Sequence, residues 1–163
     1  MRSYIVTQRE SNSDAMATGS IRSWRAAACL FLLLVVFTAQ AQTANNEEVS
    51  LRNLQQAATA IGEGNLKDAE VILTSVLAGR SGDADALNLL GVVRARQQRV
   101  REAERLFRRA LAVSPTHVGA HINLGELYIT TNRSQRALQI LLAGHRLAPE
   151  RTEINLKLAE GCR

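Results

Sequence analysis

The chain has 163 residues, 46% of them hydrophobic and 4% aromatic, with two prolines and a formal net charge of +5. That length allows one ordinary domain, and the composition excludes a collagen-like or Pro-rich disordered chain. Ala, Leu and Arg dominate while Gly and Pro are scarce, which favours helix over a turn-dense sandwich or barrel and predicts an all-α protein.

Residues 1–41 differ from the rest of the chain. Arg22 and Arg25 precede an apolar run from Ala26 to Phe37, after which come Thr38, Ala39, Gln40 and Ala41. A basic lead, a short apolar stretch and small residues at its exit are the grammar of a secretory signal peptide. The run is shorter than the roughly 20 residues a spanning helix needs, so cleavage after Ala41 is expected, leaving 42–163 as an exported domain, periplasmic or secreted. The alternative is that residues 26–41 stay attached and anchor the chain in the inner membrane, although Gln40 and Gln42 cut the apolar stretch short. Residues 1–15 are polar, and a start at Met16 gives a more compact basic lead. Cys29 lies within the segment to be removed, so Cys162 is left alone and the domain depends on its core rather than on a disulfide. From Gln42 onward 16 Lys and Arg stand against 13 Asp and Glu, a mild excess that does not demand a nucleic-acid partner.

Seven helices are predicted, near 47–62, 66–79, 84–97, 100–113, 118–131, 134–147 and 151–163. Within the fourth, Ala103, Leu106, Phe107, Ala110 and Leu111 recur at three and four to make one apolar stripe, with Arg101, Glu104, Arg105, Arg108 and Arg109 outside it. Pro115 and Pro149 cannot continue a helix and close the fourth and sixth.

Those two prolines mark a period of 34. The same offset places Leu90 on Leu124, Gly91 on Gly125, Arg99 on Arg133 and Ala103 on Ala137, and it sets Phe107 opposite Leu141 and Ala110 opposite Gly144. Gly64, Gln98 and Asn132 fall in equivalent turns, and Ala69, Leu73 and Val76 extend the register backwards. Only six of 34 positions are identical between the two best copies, but they are the structurally demanding ones. Gly91 with Ala103, and Gly125 with Ala137, put small side chains where two antiparallel helices cross.

This pattern resembles the tetratricopeptide repeat, a 34-residue helix-turn-helix with Leu-Gly, Tyr, Ala, Phe, Ala and Pro at fixed places. Copies are assigned to 50–83, 84–117 and 118–151, with a partial copy at 152–163. The third carries Leu124, Gly125, Tyr128, Ala137, Leu141, Gly144 and Pro149; the second carries Leu90, Gly91, Ala103, Phe107, Ala110 and Pro115, with Arg94 where Tyr is usual. The first is degenerate, with Ser81 in place of the proline. The resemblance implies an α-solenoid of about three hairpins and a closing half-repeat helix, whose first helices line a concave groove that holds a peptide or helix of a partner protein.

Carried over residue by residue, the groove positions are Leu54, Gln55 and Ala58 in the first copy, Asn88, Leu89, Val92 and Arg96 in the second, and Asn123, Glu126, Ile129 and Thr130 in the third. Ile61, Ala95 and Ile122 complete the inward set. Asn88 and Asn123 suit a partner's backbone, Arg96 and Glu126 its charges, and Val92 and Ile129 an apolar side chain. The bland alternative is that several of these only stack neighbouring repeats. Some relatives clamp a C-terminal carboxylate at two inward positions of successive first helices; here those positions hold Leu51 and Gln55, Asp85 and Leu89, and Gly119 and Asn123, so the clamp is missing.

Seven arginines between Arg94 and Arg109 allow weak polyanion binding as an alternative. Interleaved Glu102 and Glu104 and the lack of a stacking aromatic argue for a solvated face, and no nucleic acid is expected. His117 and His121 are four apart with no third metal ligand nearby. No phosphate loop, nucleophile elbow or reactive-cysteine context is present, so neither catalysis nor a cofactor nor a metal is expected. The reading is a non-catalytic protein-interaction scaffold of the cell envelope, touching the membrane only through an uncleaved leader. The alternative is the docking arm of a larger enzyme, a transferase or peptidase, continuing beyond Arg163.

Overall fold

The computed structural model describes residues 47–161, and within them there are only helices, turns and short links. The helices are α1 (47–62), α2 (Leu66–Gly79), α3 (Ala84–Arg96), α4 (Val100–Val113), α5 (Val118–Thr130), α6 (Ser134–Leu147) and α7 (Thr152–Gly161). The expected boundaries agree to within one or two residues. The apolar run 26–37, Cys29 and Cys162 lie outside the described residues, and none of the described helices is long and apolar enough to cross a membrane.

Each feature of the backbone recurs at the same period. The first helix of each hairpin ends on a residue with positive φ, Gly64 (81°), Gln98 (62°) and Asn132 (58°). The next amide then reaches back into the last turn, Asn65 to the Ala60 carbonyl, Arg99 to Arg94 and Arg133 to Tyr128, at 2.8, 2.9 and 2.8 Å. This left-handed close satisfies carbonyls that a helix end otherwise leaves bare. Only the first of the three turns uses the residue that enters that conformation without steric cost.

The second helices stop alike, with the amides of Arg80, Ser114 and Ala148 returning to Val76, Ala110 and Gly144. Pro115 and Pro149 follow directly after the last two, exposed and with no N–H to carry the ladder on. Two first helices then open on equivalent side-chain caps. Asp83 accepts from the Ala86 amide, and His117 Nδ1 accepts from the Ala120 amide, both at 3.0 Å. The other nitrogen of His117 lies 3.0 Å from Asp85 in the first turn of α3, so the cap also ties α5 to α3.

Packing explains the glycines. A Cβ at Gly91 would fall 2.5 Å from the Phe107 ring, and one at Gly125 would fall 2.5 Å from Leu141. Helices α3 and α4, and again α5 and α6, therefore cross with backbone nearly touching side chain. Ala103, Ala110 and Ala137 are fully buried at the same crossings, and Leu90, Leu124, Phe107, Leu141 and Tyr128 complete the core. The degenerate first copy buries Ala69, Leu73 and Val76 in the same register. Burying each large apolar side chain contributes about 1.5–3 kcal/mol, and because every hairpin hides its apolar face against the next, the stack is held by its junctions.

Those junctions are sewn by position. At the first, the Glu70 carboxylate takes two guanidinium nitrogens of Arg94, at 2.6 and 2.7 Å. At the second, one repeat on, Tyr128 donates to Glu104 at 2.9 Å while Arg133 pairs with the same carboxylate at 2.7 Å and lies 4.6 Å over the Tyr128 ring. At the third, Leu138 and Leu142 occupy the places of Glu104 and Arg108, 37% and 40% exposed.

Candidate functional site

First helices α3, α5 and α7 touch one another in succession, whereas α2, α4 and α6 do not touch among themselves. The stack is thus tighter on the first-helix side, which makes that side concave. Between α3 and α5 on this side lies a cavity of about 460 Å³. Val92, Ala95, Leu127 and the edge of Phe107 give it an apolar floor, and Arg96, Gln98, Asn123, Glu126, Thr130 and Thr131 give it a polar rim.

Five of the expected groove residues, Val92, Arg96, Asn123, Glu126 and Thr130, meet here. Gln55 and Ala58 are exposed on α1, outside this cavity. Leu54, Leu89 and Ile129 are half-buried and pack against the core, while Ile61 and Ile122 are wholly within it. Leu127, Thr131, Gln98, Val100 and Phe107 line the cavity without belonging to the expected set; Gln98 and Thr131 come from the turns that follow α3 and α5.

The polar residues of the groove are largely committed to one another. Asn123 Nδ2 donates to Asn88 Oδ1 at 2.8 Å, and Asn88 is 9% exposed. Arg96 donates to the Ile61 carbonyl at 2.6 Å, capping the end of α1. Lys157 on α7 bridges Glu126 and Glu160, each at 3.2 Å; burial works against its charge, but these two carboxylates hold its pKa above the ordinary lysine value. The expectation that Arg96 and Glu126 await a partner's charges is therefore modified, since each already serves the stack. What remains open to a ligand is the amide oxygen of Asn123, the Gln98 side chain, the remaining Arg96 donors and the apolar floor.

The carboxylate-clamp positions lack any Lys or Arg, and Asp85 is drawn to His117. Of the two histidines, His117 is occupied as the α5 cap, and His121 has its Nε2 3.0 Å from the Pro115 carbonyl while its buried Nδ1 has no hydrogen-bond partner. No cluster of three or more His, Cys, Asp or Glu side chains suited to a metal occurs among the described residues. Of the seven arginines from Arg94 to Arg109, five are engaged internally: Arg94 by Glu70, Arg96 by Ile61, Arg99 by Glu102, Arg108 by Glu104 and Tyr128, and Arg109 by the Ser81 carbonyl.

A stack of antiparallel helix pairs with a tighter, cavity-bearing first-helix side defines an α-solenoid. Residues 94–160 match the family model of the tetratricopeptide repeat. Similarity to a curated protein is short: 45% identity over 51 residues to cellulose synthase operon protein C of Pseudomonas fluorescens (strain SBW25), which is 31% of this chain and 4% of that protein. Among solved structures, pilF of Pseudomonas aeruginosa is similar with a TM-score of 0.68 and 26% identity, over 72% of this chain and 54% of that one. The first tetratricopeptide domain of Spaghetti (RPAP3), bound to an HSP90 peptide, is similar with a TM-score of 0.64 at 14% identity, over 69% and 90% of the two chains. Over 94–160 the chain is thus similar to tetratricopeptide repeats in sequence, and over the described helices it shares their architecture.

Proposed function

We propose that the chain is a non-catalytic protein-binding scaffold of the cell envelope, holding an extended peptide or helix of a partner in the groove between α3 and α5. Repeats of this family generally mediate protein–protein contact. The observation that carries the reading is the cavity of about 460 Å³, with its apolar floor and with the Asn123 oxygen and Gln98 at its rim: it is large enough for one apolar side chain and offers backbone partners beside it. The peptide-bound relative lends support to a peptide ligand, but its ligand, an HSP90 peptide ending in Glu-Val-Asp, is not the expected one here, because a cationic clamp is missing. An apolar anchor in a segment of low charge fits better.

Selection of binders from a random peptide library, followed by titration of the best against Val92→Arg and Thr130→Arg, tests this. Both variants fill the cavity, and affinity is expected to drop at least tenfold. Thr130 is exposed, so its variant should leave the circular dichroism unchanged, whereas Val92 also packs against the core. Undiminished binding would place the site elsewhere. The envelope location rests on the 26–37 run and the small residues after it, and fractionation of the expressed protein tests it.

A second reading, the docking arm of a larger protein, is favoured by one fact: the chain spans 4% of the length of the curated relative it matches. An in-frame continuation in the source DNA, encoding a catalytic domain, would establish it.

A further inference from the structure

We propose a second interaction surface on the opposite, second-helix side, where Arg101 and Arg105 of α4 bind an acidic segment of a partner protein. The molecule itself shows the chemistry this side recognises. Three glutamates there are held by guanidinium groups: Glu70 by Arg94, Glu102 by Arg94 at 3.4 Å and Arg99 at 2.7 Å, and Glu104 by Arg108 at 3.0 Å and Arg133 at 2.7 Å. Arg101 and Arg105 offer the same groups, one turn apart on the same exposed face, with no carboxylate held between them. Neither has a hydrogen-bond or ion-pair partner among the described residues, and neither is needed for the core.

Depressions of about 330 and 310 Å³ lie on either side of Arg105, the first bounded by Arg101, Glu104 and Arg108 and the second by Arg94, Arg109 and Glu102 with Leu90 and Leu106; Glu102 is already held by Arg94 and Arg99. Like charges at four-residue spacing repel and weaken a helix, a cost that a partner's carboxylates would reverse. Guanidinium forks match carboxylates in a planar, two-pronged fashion. Carboxylates one helical turn apart, about 5.4 Å along an acidic helix, reach both arginines together.

Other anions fit less well. The only Phe or Tyr rings among the described residues, Phe107 and Tyr128, are 1% and 2% exposed, so no stacking platform serves single-stranded nucleic acid. On α4 itself the one exposed large apolar side chain is Val113, at the far end from Arg101, so no apolar wedge for a bilayer stands on that helix beside the two arginines.

The test uses the full chain and fluorescence anisotropy with a labelled helical peptide bearing glutamates at four-residue spacing, its glutamine counterpart, heparin, and vesicles of phosphatidylglycerol and phosphatidylcholine, at low and physiological salt. The glutamate peptide is expected to bind and its glutamine counterpart not. Arg101→Gln with Arg105→Gln is expected to weaken binding at least tenfold, while Arg146→Gln with Arg151→Gln, which removes the same net charge elsewhere, changes it less than twofold. Circular dichroism should be unaltered by either pair, since all four side chains are exposed. Equal loss in both variants would reduce the effect to net charge and overturn the proposal. So would heparin or vesicle binding without peptide binding, or no peptide binding at low salt.

Discussion

Arg94 clasps Glu70 with two nitrogens across the first junction of the stack, and one repeat later the same two places hold Tyr128 and Glu104, joined by one hydrogen bond. The acid is constant and its donor is exchanged. Where the donor is a phenol, Arg133 supplies the missing cation from the turn; its counterpart at the first junction, Arg99, is turned to Glu102 instead.

This equivalence predicts that Arg94→Tyr is tolerated. Glu70 can accept from the phenol as Glu104 does from Tyr128, and Arg99, once turned from Glu102, can pair with Glu70 as Arg133 does with Glu104, so the change should cost less than about 1 kcal/mol. Arg94→Leu, which strands a partly buried carboxylate, should cost about 1–3 kcal/mol. Urea denaturation of the two variants checks the difference.

Glu70 also gives a pH signature. The hydrogen bond from Arg94, aided by one from Gln97, lowers its pKa from 4.5 to about 2. A carboxylate with a depressed folded-state pKa stabilises the fold above its unfolded value and loses that contribution as pH falls from about 4.5 toward 2. The side chain is 32% exposed, and solvent screening leaves about 1 kcal/mol. Glu70→Gln should therefore flatten the fall in urea midpoint below about pH 4.5. Glu104 will sustain part of the slope: burial pushes its pKa up, but hydrogen bonds from Arg133 and Tyr128 outweigh that and hold it below the ordinary value.

The turns offer a stabilising change. Gln98 holds φ of 62° in a place where Gly64 stands one repeat earlier, and an L side chain in that conformation costs about 1 kcal/mol. Gln98→Gly should raise stability by about 0.5–1 kcal/mol after the entropy of the freer unfolded chain is deducted. A lower melting temperature would show that the side chain carries no strain in this turn.

The helix crossings predict the reverse. Gly91→Val forces new atoms into the Phe107 ring, which is buried and has nowhere to turn, and should cost about 1–3 kcal/mol. His117→Ala should cost about 1 kcal/mol by removing the α5 cap, with His117→Asn restoring most of it. Thermal denaturation reads both.

How much of this is legible in the sequence depends on the period. Gly91 against Phe107, the turn at Gln98 and the stops before Pro115 and Pro149 are all visible by laying the sequence on itself at 34, because each is a demand of one hairpin repeated in the next. The groove is legible only as a set of positions. Its internal commitments join residues at other separations, Asn88 to Asn123 at 35, Arg96 to Ile61 at 35 and Glu126 to Lys157 at 31, which arise from the stagger between hairpins and leave no trace in the repeat register. The His117 cap is hidden for a different reason: histidine is an uncommon N-cap, and its role here depends on Asp85, 32 residues away, fixing the far nitrogen.

Occupation of the first-helix side by a partner can be read residue by residue, by following the backbone amide shifts of the isotope-labelled full chain as a library-selected peptide is titrated in. The perturbed amides should cluster on α3 and α5 around Val92, Asn123 and Thr130. Shifts confined to α2, α4 and α6, with that cavity silent, would show that the groove is not where the partner lies.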